Sequence, residues 1–278
     1  MLFFLLLIKM VLILPDNLDI TELDLSGKNL TKCPDLSGYT KLSKLNIISN
    51  QIKTLDNLPS SITYLDCSCN NLKSLDNLPL SLTYLNCSYN KITSLDNLPL
   101  SLRELHCNNN QIISIDHLPM SLTYLECCIN QIISLEHLPL SLEKLYCSFN
   151  QITSLDNLPL SLTVLICYSN QIKSLDNLPI SLTELYCSNN KITSLDNLPL
   201  LLTTLSCACN QITSLDNLPL SLTYLECSFN KITSKDNLPL SLTYLDCSAN
   251  PLEYDFEPTL ENIRKYNLEQ QMKHCNKN

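Results

Sequence analysis

The sequence predicts a solenoid: one elongated domain of stacked coils with a short parallel strand in each coil. Three observations predict it. A twenty-residue phrase close to L-x-x-L-x-C-S-x-N-x-I-T-S-L-D-N-L-P-L-S runs through most of the 278 residues. Its asparagine recurs eleven times from Asn50 to Asn250, and its cysteine ten times from Cys67 to Cys247. Its proline recurs ten times from Pro59 to Pro239. A fixed period of this length means stacked copies of one supersecondary unit, each contacting its neighbours, and not a chain collapsed around one centre.

Within one copy, Leu82 to Ser101, the residues Leu85 and Cys87 alternate with Tyr84, Asn86 and Ser88. That period of two reads as a short strand with one face buried. Ile92, Leu95 and Leu98 return the chain, and Pro99 keeps the return from becoming a helix. Twelve units start at Ile20, Leu42, Ile62, Leu82 and so on to Leu242, spanning residues 20–252. The first is atypical: it is twenty-two residues long, has Lys28 where the asparagine belongs, and holds both glycines, Gly27 and Gly38. Terminal repeats depart from the pattern because one face has no neighbour. Residues 1–19 read as an apolar N-terminal cap, with a cleaved signal as the alternative for Met1–Leu14, a segment too short to span a membrane. Residues 253–278 read as a C-terminal cap, with a helix over about 258–273 carried by Leu260, Ile263 and Asn267 and by Glu257 and Glu261 near its start.

Composition narrows the function. A net charge of −9 with the Lys and Arg scattered argues against nucleic acid, which needs a basic stripe. Two glycines leave no loop that could cradle a phosphate. No nucleophile–base pair and no metal cluster emerges from the motifs, so neither an enzyme nor a cofactor is expected. The ten-rung cysteine column reads as buried, reduced, small hydrophobes, because parallel side chains keep successive Cβ atoms too far apart for disulfides. That favours a reducing compartment, with secretion still open. The asparagine column reads as structural, its amide serving the backbone where the strand ends. An acidic column from Asp56 to Asp236, with Glu136 as its one glutamate, reads as Asx-turns on D-N-L-P, with a file of cations as the alternative. His117 and His137, beside Asp116 and Glu136, are candidate metal ligands or incidental neighbours on the rim. Lys235 stands where leucine stands in most copies and is expected to snorkel outward.

The pattern L-x-x-L-x-L-x-x-N-x-L, matched over about residues 20–252, resembles the leucine-rich repeat family. The short L-x-x-L-P repeat is similar to the subclass in bacterial effectors. The D-N-L-P wording, the cysteine and the ending P-L-E-Y-D-F-E-P-T-L-E-N-I-R-K-Y-N look more like repeat proteins of giant DNA viruses. The resemblance implies an α/β-type solenoid, with a parallel sheet on the concave face, a mostly extended convex side and protein binding as the usual role. Effectors of this subclass carry a catalytic domain after the repeats, and the 28 residues beyond Asn250 leave no room for one.

The copies also serve as an alignment of the chain with itself. Variation concentrates at the two outward strand positions, where tyrosine and acids dominate. Tyr64, Asp66, Tyr84, Tyr124, Glu126, Tyr146, Tyr186, Tyr224, Glu226, Tyr244 and Asp246 are the candidate protein-binding residues. Tyrosine offers large contact area with few torsions to freeze. The competing reading is free drift at exposed positions that suit tyrosine. The expected function is a non-enzymatic, monomeric module that binds a protein with a basic surface on the concave face; the alternative is a self-assembling rod.

Overall fold

The computed structural model describes residues 14–233, 238–252 and 259–275. The N-terminal segment up to Ile13, together with Lys235, Asp236, Glu257 and Pro258, lies outside the described residues, as do the readings placed on them. Twelve strands of three residues form one sheet in chain order: β1 (Glu22–Asp24), β2 (Lys44–Asn46), β3 (Tyr64–Asp66), β4 (Tyr84–Asn86), β5 (Glu104–His106) and β6 (Tyr124–Glu126), followed by β7 (Lys144–Tyr146), β8 (Val164–Ile166), β9 (Glu184–Tyr186), β10 (Thr204–Ser206), β11 (Tyr224–Glu226) and β12 (Tyr244–Asp246). All pairs are parallel, and each residue pairs with its equivalent one copy on, as in Leu145 with Leu165. At about 4.8 Å per strand the sheet is about 50 Å long.

Each coil buries the same columns. Leu142, Leu145, Cys147 and Ile152 are fully buried, and so are their equivalents from Leu42 to Ile232, whereas Leu23 and Leu245 in the two end coils are only partly buried. Two polar columns knit the coils together. Asn150 donates through Nδ2 to the carbonyls of Cys127 and Cys147, both at 3.0 Å, while its Oδ1 accepts from the backbone N–H of Ile132 at 2.9 Å. The amide therefore closes its own turn and ties it to the preceding coil. Ser101 donates through Oγ to the carbonyls of Leu80 and Leu82, both at 2.7 Å, and most coils repeat this bond. These carbonyls belong to a tight turn, Pro79 to Leu82, closed by the Leu82 N–H on the Pro79 carbonyl.

On the far side, the D-N-L-P segment turns through an asparagine in the left-handed region, as at Asn157 (φ 62°) and Asn177 (φ 62°). Asparagine tolerates that conformation better than most residues. The acidic column beside it is held differently from the Asx-turn expected. Asp156 Oδ2 accepts from the Ser154 hydroxyl at 2.5 Å, and the Asp156 N–H donates to the same Ser154 oxygen. Asn177 then donates to Asp156 from the next coil at 3.3 Å. The serine two residues earlier, not the turn backbone, is the aspartate's partner.

Helix α1 (Leu260–Cys275) closes the C-terminal end, beginning and ending two residues beyond the expected span. Thr259 caps it, its Oγ1 accepting from the Asn262 N–H at 3.2 Å. Ile263 is fully buried and Leu260 packs on the core.

The candidate interaction face

The strand pattern projects alternate residues from the sheet, so the outward positions of neighbouring coils stand side by side about 4.8 Å apart. All eleven candidate residues lie on the strands of this face. They are not equivalent. Tyr64 and Tyr84 stack with ring centroids 4.2 Å apart and planes 5° from parallel. Tyr224 and Tyr244 repeat that stack at 4.4 Å and 5°. Lys44 places Nζ 5.4 Å from the Tyr64 ring, a cation already seated at one end of the file.

Between the coils of Tyr84 and Tyr146 the rings continue diagonally. His106 lies 5.3 Å from Tyr84 and 5.2 Å from Tyr124, and Tyr124 lies 5.2 Å from Tyr146. A continuous aromatic file thus crosses five coils, alternating between the first and third strand positions after Tyr84. His106 was missed in the sequence because it occupies a column otherwise read as acid and tyrosine. A ring-by-ring reading across both columns would have found it.

His106 is also the hub of the charged network. Its Nε2 lies 2.8 Å from Glu104 Oε1, and its Nδ1 lies 3.0 Å from Glu126 Oε2. Glu126 further accepts from the Tyr124 hydroxyl, and from Asn108 Nδ2 at 2.8 Å. Burial works against a charged imidazole, but the hydrogen bonds to Glu126 and Glu104 outweigh it and raise the His106 pKa. The same contact, led by His106, holds the Glu126 carboxyl down at about 2. Here the face carries a prearranged imidazole–carboxylate cluster, not loose acids.

Three of the candidate acids are partly committed to the scaffold. Asp66 is buried, accepting from the Ser68 N–H at 3.0 Å and from Asn86 Nδ2 at 3.0 Å. Asp246 accepts from the Ser248 N–H at 2.9 Å. The same bond recurs at Asp24, Asn46 and Asn86, so this is where the i to i+2 Asx bonds actually form. Glu226 accepts from the Ser206 hydroxyl at 2.6 Å. Tyr186 keeps a weak bond to Glu184 at 3.4 Å and makes no ring contact with the file.

On the opposite side His137 Nδ1 stands 3.6 Å from Asp116 Oδ1, beside a groove of about 520 Å³ lined also by Ile113 and Ile133. Among the described residues no three histidine, cysteine or acidic side chains are gathered closely enough to hold a metal. No helix among them is long and apolar enough to cross a membrane.

A parallel sheet built one strand per twenty-residue coil, with a buried asparagine stapling each coil to the last, defines the leucine-rich repeat class. The chain is a leucine-rich repeat protein: a family model for leucine-rich repeats in two copies matches residues 80–120 and 180–220. Among solved structures it is similar to YopM from Yersinia enterocolitica, with 38% identity over 84% of this chain and a TM-score of 0.79. It spans 52% of that protein's length. The internalin InlF of Listeria monocytogenes is similar at 26% identity and a TM-score of 0.74, over 84% of this chain and 76% of its own. InlJ of the same bacterium, whose functional domain includes a cysteine ladder, is similar at 29% identity and a TM-score of 0.67, over 85% of this chain and 60% of its own. No curated protein matches the chain in sequence.

Proposed function

We propose that this chain is a non-enzymatic interaction module whose concave sheet face binds a protein partner with a basic, partly apolar surface. Protein–protein interaction is the typical role of the leucine-rich repeat fold, and repeat solenoids use their extended concave surface for it. One observation carries the reading to this face. The aromatic rings of Tyr64, Tyr84, His106, Tyr124 and Tyr146 form an unbroken file, bordered by the Glu104–His106–Glu126 cluster. Stacked rings are already ordered, so little torsional freedom is lost when a partner covers them. Lys44 over Tyr64 shows what a partner's cation can do on the same file. A second patch, Tyr224 and Tyr244 with Glu226 and Asp246, offers the same chemistry beginning four coils beyond Tyr146. Affinity capture from the native host with mass spectrometry tests the reading. The expected result is a specific protein retained by the wild-type chain and lost with Tyr84→Ala and Tyr124→Ala together. A partner retained equally by that variant points to another face.

A further inference from the structure

Every coil from the third to the eleventh carries an aliphatic side chain that the core does not use. The series is Leu80 and each twentieth residue on to Leu240, with Met120 and Ile180 as the variants, and these nine side chains are 64–90% exposed. Local geometry forces them outward. Each is the second residue of the tight turn that begins at proline, as in Pro99 to Leu102, where the Leu102 N–H bonds back to the Pro99 carbonyl at 3.0 Å. The turn sends Leu102 inward and leaves Leu100 on the tip. Stacked at the sheet spacing, the tips form an aliphatic ridge about 38 Å long beside the N-terminal ends of the strands.

We infer that this ridge is the contact surface of a symmetric homodimer, in which two copies of the chain pack antiparallel, ridge against ridge. Area is the first argument. Full burial of a leucine is worth about 1.5–3 kcal/mol at about 25 cal/mol per Å², which corresponds to about 60–120 Å² of side chain. Nine such side chains at their observed exposure supply about 430–860 Å² per copy, a range whose upper end reaches the ~800 Å² per partner of a standard stable interface. Their stacking in one file exceeds the scattered apolar residues normal on a soluble surface. Symmetry is the second argument. Leu160 is the fifth of the nine tips, so a two-fold axis through it sets Leu100 of one copy against Leu220 of the other. That pairing closes, whereas a head-to-tail contact would propagate. Charge is the third. Within three residues of any tip along the sequence the charged residues are Arg103 and Glu143, and Arg264 reaches the Leu240 carbonyl from α1, so the −9 of each chain sits elsewhere. The same acidity disfavours a lipid surface, because helices and ridges that lie on membranes carry lysine and arginine beside their apolar face. The dimer replaces the monomer expected from the sequence and leaves the concave face free.

Sedimentation equilibrium of the full chain across a concentration series tests this, and the expected mass is that of two chains. Leu160→Glu sets two carboxylates against each other on the axis and is expected to weaken association at least about tenfold. Thr153→Glu, at an exposed position in another column of the coil, leaves it unchanged. Leu100→Lys and Leu220→Glu each weaken association alone and restore it when combined in one chain, which only the antiparallel arrangement allows. Because the tips are exposed, the circular dichroism spectra of all these variants match the wild type, while variants that dissociate melt lower than the dimer at the same concentration. A chain that is monomeric throughout, association undiminished in Leu160→Glu, or a monomer captured by phosphatidylcholine vesicles through the same leucines overturns the proposal.

Discussion

The guanidinium of Arg264 donates to the carbonyl of Leu242 at 2.7 Å and, through the same nitrogen, to that of Leu240 at 3.0 Å. In the preceding coil the equivalent carbonyls, Leu220 and Leu222, are taken by the Ser241 hydroxyl, both at 2.7 Å. The last coil has no following serine, and an arginine from α1 fills the vacancy. The helix therefore continues the hydrogen-bond pattern of the solenoid in addition to covering its apolar end.

Arg264→Ala is expected to destabilise the C-terminal coil by about 1–2 kcal/mol, within the range for hydrogen bonds to charged groups after allowance for the arginine's exposure. Ile263→Ala, which removes a fully buried side chain, is expected to cost about 2–5 kcal/mol. Thermal unfolding with hydrogen exchange checks both, the first protection lost being that of β12. Protection lost first in the central coils would show that α1 does not hold the end.

Asn150→Ala removes an amide that serves four backbone groups, the Ile132 N–H and the carbonyls of Cys127, Cys147 and Ser148, and leaves them without it. About 1–3 kcal/mol per unsatisfied group is at stake, so loss of several kcal/mol is expected. Asn157→Ala, in a solvent-exposed left-handed turn, is expected to cost about 1 kcal/mol. Denaturant unfolding ranks the two, and equal costs would contradict the staple.

Along the cysteine column burial pushes the thiols up: Cys87 and Cys187 to about 12, with Cys107, Cys147 and Cys167 well above the ordinary range. Thiolates do the alkylation chemistry. The native protein is expected to react quickly at the exposed Cys69 and Cys209 and to leave the buried column untouched. In denaturant without reductant all fifteen cysteines are expected to titrate. Bridged pairs would instead place the chain in an oxidising compartment.

At the His106–Glu126 pair the two shifts act in opposite directions of pH. The raised imidazole contributes stability that is complete below its unfolded value of 6.5 and is lost as pH rises through the folded value. The lowered carboxyl contributes stability present above its unfolded value of 4.5 and lost as pH falls toward about 2. The stability difference between wild type and His106→Gln is therefore expected to be greatest between about pH 4.5 and 6.5, and to shrink on either side. A difference that is flat with pH would mean that the imidazole is neutral in the fold.

Much of this molecule is legible in its sequence, because a strict period turns every column into a structural statement. The strands, the buried Leu85 and Cys87 columns and the asparagine staple follow from alternation and from amide chemistry. Three features did not follow. Leu100 and its equivalents are aliphatic like the core residues beside them, and only the turn that begins at Pro99 makes them solvent-facing. The aromatic file runs diagonally through His106, crossing between the columns of Tyr84 and Asn86, whereas the twenty-residue period relates only residues within one column. The partner of Asp156 is Ser154, since a hydroxyl two residues earlier competes with the turn backbone for the carboxylate.

The central claim is that the concave rings, and not the convex acids, hold the partner. With the captured partner in hand, isothermal titration calorimetry compares two double variants. Tyr224→Ala with Tyr244→Ala removes the stacked pair and is expected to cost at least about 2 kcal/mol of binding. Asp156→Asn with Asp176→Asn, on the convex side, is expected to change affinity by less than about 0.5 kcal/mol. Convex variants that abolish binding while the tyrosine pair leaves it intact would contradict the account.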